Sequence, residues 1–98
     1  MHLPWLRVAV SGLSMVPTLA PGEWLLVRRG TPPRPGAVVV VRLHGRLSVK
    51  RVASVGADGV RVAGDNAAAS TDGVVDPADV VGEVRWRYHP LRSAGRVR

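Results

Sequence analysis

The chain has 98 residues, 46% hydrophobic and 21% charged, with a formal net charge of +7 and no cysteine. That length fits one domain with a modest core, and the missing cysteines exclude a disulfide framework, a thiolate metal site and a Cys nucleophile. The longest uninterrupted apolar run, Ala37 to Val41, falls far short of the ~20 residues of a membrane span. The N-terminal stretch from Met1 to Arg7 is too short and too broken for a secretory signal, so a cytoplasmic protein is expected. The positive charge points either to an anionic partner, nucleic acid or lipid, or to a solvated basic surface. Its arginines are scattered, and only the C-terminal tail is compactly basic.

Valine-rich runs alternate with Gly, Pro and Asp punctuation at short intervals, which predicts an all-β domain of short strands. Trp5 to Val10 reads as a first strand. A turn-rich stretch from Ser11 to Gly22 follows, with room for one short helical turn after Ser14. Glu23 to Arg28 reads as a second strand, and the prolines at 32, 33 and 35 make the next stretch a loop. Ala37 to His44 is a third strand, whose four consecutive valines imply burial on both faces or a bulge. His44-Gly45 turns the chain into Arg46 to Val55, where a period of two puts Lys50 and Val49 on opposite faces. Gly56 to Gly59 is a hairpin turn leading into Val60 to Ala63. Gly64 to Asp79 shows no periodicity and reads as an ordered loop; Val80 to Tyr88 is the last strand. Residues 1–90 form the expected domain, and 91–98 a frayed basic tail. The fold class is mainly β, with five to seven short, mostly antiparallel strands in a coiled sheet or barrel.

Two side chains stand out chemically. Ser14 lies between an apolar strand and the turn at Pro17, with Gly12 before it, so its hydroxyl sits among free backbone N–H groups. That suits a nucleophile, and it equally suits a polar turn. Lys50 is the single lysine among 14 lysine and arginine residues. Arginine keeps its proton in a protein, whereas a buried lysine can lose it. Only Lys50 can therefore supply a neutral amine as a base.

Read together, three stretches resemble the boxes of type I signal peptidases and their relatives. Ser11 to Leu19 with Pro21-Gly22-Glu23 is similar to the nucleophile box, Val49 to Val52 to the lysine box, and Gly64 to Asp72 to the third box. A small subgroup, the nickel-type superoxide dismutase maturation proteases, is similar in its short length. It also shares Ser-Met-Val-Pro-Thr-Leu (14–19) and an ending like Val-Arg-Trp-Arg-Tyr-His-Pro (84–90). The resemblance implies a signal-peptidase-like β fold and a Ser–Lys dyad that removes an N-terminal leader from a precursor. Ser14 would be the nucleophile, Lys50 the general base, and Ser70 the hydroxyl that orients the amine. The Ser14 N–H would form the oxyanion hole. Gly12 stands where some relatives carry a serine hydroxyl, so a backbone N–H would supply the second donor. Met15 would help to desolvate the dyad, and Asp65, Asn66 and Asp72 would brace the third box.

The chain departs from the pattern at Glu23, where Asp is usual, and after Asp72, where the usual Ser-Arg is missing. The implied substrate is the precursor of a nickel superoxide dismutase, bound as an extended strand; its nickel belongs to the substrate, and no cofactor is expected of this chain. The alternatives are signal-peptide processing at a membrane with a partner supplying the anchor, and a small basic β-barrel that binds nucleic acid. No nucleic acid is expected under the main reading, and membrane contact would not involve a transmembrane helix. A self-cleaving repressor would need a DNA-binding segment before Ser14. His2, His44 and His89 fit no metal-ligand spacing.

Overall fold

The computed structural model describes residues 4–69 and 72–98. Eight strands lie among them: β1 (Trp5–Ala9), β2 (Trp24–Arg29), β3 (Val38–Leu43), β4 (Arg46–Gly56), β5 (Gly59–Ala63), β6 (Gly73–Val75), β7 (Val80–His89) and β8 (Gly95–Arg96). They form one curled sheet in the order β1-β2-β7-β3-β4-β5-β6, with β8 on β7, and every pairing is antiparallel.

The valine run of β3 explains the layout. Val38 and Val40 join Leu25, Val27 and Val84 in one apolar cluster; Val39 and Val41 join Val52, Val60, Val62 and Val75 in another. The strand is thus a wall shared by two cores. It also carries a register shift against β7 between Val40 and Val41, so burial on both faces and a bulge occur together. Fully burying each such side chain contributes about 1.5–3 kcal/mol, which makes this strand the least replaceable part of the sheet. β7 can thread between β2 and β3 because position 82 is glycine: a Cβ there would collide with the Arg28 carbonyl oxygen.

Both tight hairpins follow their turn chemistry. His44 and Gly45 take positive φ angles of 52° and 74° between the paired Leu43 and Arg46, as a two-residue hairpin loop requires. Ala57-Asp58 closes β4 onto β5 between the paired Gly56 and Gly59.

Two expectations need correction. The stretch from Gly64 to Asp79 is not all loop: β6 adds to the sheet on β5, and a 3-10 turn follows at Pro77–Asp79, capped by the Asp76 side chain. Three residues are too few to show an alternation. After Ser14 the chain makes the single helical turn the sequence left room for, closed by Leu19 N–H to the Met15 carbonyl, and no regular helix. The C-terminal stretch is not frayed. Pro90 begins a 3-10 turn at Leu91–Ser93, β8 pairs with Trp86 and Arg87, and Val97 packs against the first core.

Candidate active site

The turn that carries Ser14 is a closed excursion between β1 and β2. Its neck is fastened by Val10 N–H to Glu23 O (2.8 Å) and Gly22 N–H to Val10 O (2.9 Å). Met15 and Leu19 drop into the first core and fix the inner side. Gly12 holds a φ of 82°, a conformation that disfavours a side chain. Ser14 is left half-buried on the outer side of this anchored turn.

Polar contacts hold the rest of the turn. The buried Glu23 carboxylate accepts the Ala20 N–H (2.7 Å) and an Arg87 N–H (3.3 Å). Arg87 also donates to the carbonyls of Thr18 (3.0 Å) and Ser93 (2.6 Å), tying turn, β7 and tail together. Glu23 therefore reaches a cation despite standing where aspartate is usual.

The third box is fastened to the same turn. Asn66 donates its backbone N–H to the Ser14 carbonyl (2.8 Å) and its side-chain amide to the Leu13 carbonyl (3.0 Å). Beside it, Asp65 accepts two hydrogen bonds from Arg51 at 2.8 Å and one from the Thr18 hydroxyl at 2.5 Å. The Arg51 hydrogen bond holds the Asp65 carboxyl below the usual carboxylate range; Thr18 and the Arg51 charge add to this, and burial opposes it. The same pairing pushes the Arg51 guanidinium up. Arg51 further donates to the carbonyls of Gly36 and Arg98. One arginine beside the lysine thus links the Ser14 turn, the Asp65 loop and the C-terminus.

Lys50 is positioned by sheet register. It pairs with Val39 across β3–β4, and directly opposed residues of an antiparallel pair share a face. That face belongs to the second core, with Val52 two positions on. Lys50 is only 4% exposed. Burial pulls its amine below the ordinary lysine range, while the negative charge of Asp72 acts in the opposite direction.

A cleft of about 310 Å³ runs past Ser14, with Val8, Ala9 and the following Val10 at the end of β1 on one side and Arg46 to Val49 of β4 on the other. A second hollow of about 320 Å³ reaches Lys50 and shares Arg46 and Ser48 with the first. Among the described residues, β1 ends the sheet, and β5 joins β4 only from Arg51 onward. Each wall of the cleft therefore offers a strand edge with free backbone groups.

The structure brings Gly12, Ser14 and Met15 to this cleft, seats Lys50 in the adjoining hollow, and sets Asp65 and Asn66 against the turn. Asp72 is exposed, and its charge is felt by Lys50. The expected role of Ser70 lies outside the described residues. Sequence reasoning missed Thr18, Arg51 and Arg87. Of these, Arg51 left a signal: its neighbour Lys50 faces inward, so it had to face the other way, where the carboxylate of the third box needs a cation.

Among the described residues no helix is long and apolar enough to cross a membrane. Neither the curated proteins nor the solved structures compared with the chain gave a match. A family model described as Peptidase S24-like does match, over residues 3–85. That span holds the Ser14 turn, the buried Lys50 and the Asp65-Asn66 clamp, and the chain belongs to this family of serine peptidases.

Proposed function

We propose that the chain is a serine endopeptidase that uses Ser14 and Lys50 to remove an N-terminal leader from a precursor protein. One observation carries the reading: the only lysine is buried, with its amine lowered below the usual range, in a hollow that shares its lining residues Arg46 and Ser48 with the Ser14 cleft. A fixed structural cation would gain nothing from being desolvated, whereas a base must be.

The substrate adds as an extended strand between the free edges of β1 and β4, its backbone satisfying theirs. The neutral Lys50 amine takes the proton from the Ser14 hydroxyl as Oγ attacks the scissile carbonyl carbon. The Ser14 N–H donates to the resulting oxyanion, with a second backbone N–H near Gly12. The Lys50 ammonium then protonates the leaving amine, the C–N bond breaks and an ester to Ser14 remains. Lys50 next takes a proton from water, which attacks the ester; the acid product leaves and Ser14 recovers its proton. The resemblance gives Ser70 the task of orienting the amine in both half-reactions.

The substrate we propose is the precursor of a nickel superoxide dismutase, whose metal-binding N-terminus the cleavage would expose. The support is the resemblance of residues 11–19 and 84–90 to the maturation proteases of that enzyme. Incubation of the chain with that precursor and with an unrelated leader-bearing protein tests both levels. Cleavage of the precursor alone is expected. Cleavage of the unrelated protein alone would leave the peptidase and remove the substrate. In the same assay Ser14→Ala and Lys50→Arg should both be inactive while still folded by circular dichroism, since a guanidinium cannot act as a neutral base. Substantial activity of Lys50→Arg would refute the dyad.

A further inference from the structure

Strands β1, β2 and β7 turn one face to the first core and the other outward. The outward face carries Trp5 and Trp24, each 40% exposed, and Trp86, 47% exposed. Sheet register lines up a row across it: Arg7 opposite Leu26, Leu26 opposite Trp86, and Trp86 opposite Arg96. In a neighbouring row Trp5 pairs with Arg28, whose guanidinium lies 5.4 Å from the ring centre. Leu91, 84% exposed, meets Arg7 and Trp24 at a hollow beside the face. An apolar platform is thus rimmed by arginines. Its strands bear no exposed carboxylate: Glu83 is buried and paired with Arg34 and Arg85. The exposed acids Asp58, Asp72 and Asp76 lie elsewhere in the chain.

We infer that this face docks on an anionic lipid surface. Tryptophan rings settle at the level of lipid headgroups, arginines reach phosphates while their stems lie on apolar surface, and an exposed leucine gains by entering the acyl region. The absence of exposed carboxylates from the platform makes it complementary to a negative leaflet. Two other occupants fit less well. Single-stranded nucleic acid needs open aromatic faces, yet Arg28 covers Trp5, and Leu26 and Leu91 offer a base nothing to stack on. A second copy would set Arg7, Arg28 and Arg96 against their own counterparts. The inference rests on the outward face alone and stands apart from the peptidase reading.

The test is flotation of the chain with vesicles of phosphatidylcholine alone and of phosphatidylcholine mixed equally with phosphatidylglycerol, with tryptophan emission read on the bound fraction. Binding at least about tenfold tighter to the phosphatidylglycerol vesicles is expected, lost in high salt and accompanied by a blue shift. Arg7→Glu should weaken it about tenfold or more, and Leu91→Ser several-fold. Both positions are exposed, so melting temperature should not move, and Trp86→Ser adds a third variant where it folds. Equal binding to both vesicles, or variants that bind as the parent does, would overturn the inference. So would tryptophan quenching by a single-stranded oligonucleotide without vesicle binding, or a dimer at sedimentation equilibrium that hides the tryptophans.

Discussion

The two halves of the candidate site are held by opposite kinds of force. The Ser14 turn, its inner side anchored by Met15 and Leu19, is otherwise tied by ions and hydrogen bonds: Asp65 to Arg51 and Thr18, Glu23 to Arg87, and Asn66 to the carbonyls of Leu13 and Ser14. Lys50 is held by strand register and by a valine core. The difference matches what each group must do. A nucleophile needs a backbone fixed to a fraction of an ångström with N–H groups aimed at the reacting centre, and directional bonds supply that. A lysine base needs to be dry, and apolar packing supplies that.

The comparison breaks most completely at Lys50 itself. Lys50→Met should abolish cleavage and raise the melting temperature by a few degrees near neutral pH. The sign follows from linkage. The folded-state pKa of Lys50 lies below its unfolded value of about 10.4, so the folded state is penalised while both states are protonated. That penalty is full below the folded pKa and fades as pH rises to about 10.4, so the advantage of Lys50→Met should narrow over that window. Thermal melts at a series of pH values check this; a variant less stable than the parent at neutral pH would mean that Lys50 is a satisfied cation.

Cutting the polar half should lower stability and activity together. Arg51→Met removes two of the three hydrogen bonds to Asp65 and should cost about 1–3 kcal/mol in urea unfolding. Cleavage should fall at least about tenfold as the turn loosens. Asp65→Asn tests the same clamp by pH. The carboxyl is held below the usual range, so its contribution is present above about pH 4 and lost as pH falls through the folded pKa. The gap between parent and variant should therefore close in acid.

A subtler cut sharpens the contrast. Val52→Ala, two residues on from Lys50 in β4 and buried in the second core, should cost about 2 kcal/mol. It should also move the rising limb of the pH–rate profile upward, since a wetter amine holds its proton more firmly. Thr18→Val removes one of three hydrogen bonds to Asp65 and should cost only about 0.5–1.5 kcal/mol, with the rising limb unmoved. If the two variants shifted the limb equally, the division of labour between the halves would fail.

The apolar half was largely legible in the sequence. Four valines in a row imply a strand buried on both faces or a bulge, and a lone lysine among arginines stands out without any structure. Tight hairpins announce themselves through Gly and its neighbours. The polar half was not, because its contacts join residues far apart: Thr18 to Asp65 across 47 positions, Arg87 to the Thr18 carbonyl across 69. No local pattern marks which of 13 arginines will find which carboxylate. β6 and β8 escaped for another reason: three and two residues carry no period, and both exist only through pairing with a longer strand.

Because Lys50 is the only lysine, its amine can be watched alone. Lysine labelled with carbon-13 at Cε gives one side-chain resonance from the folded chain, and Ser14→Ala prevents self-damage during a long titration. The midpoint should lie clearly below the ~10.4 of a free lysine and coincide with the rising limb of the parent's cleavage profile. A midpoint at or above the free value in the folded chain would show a solvated or ion-paired lysine, and Lys50 could not then be the base for Ser14.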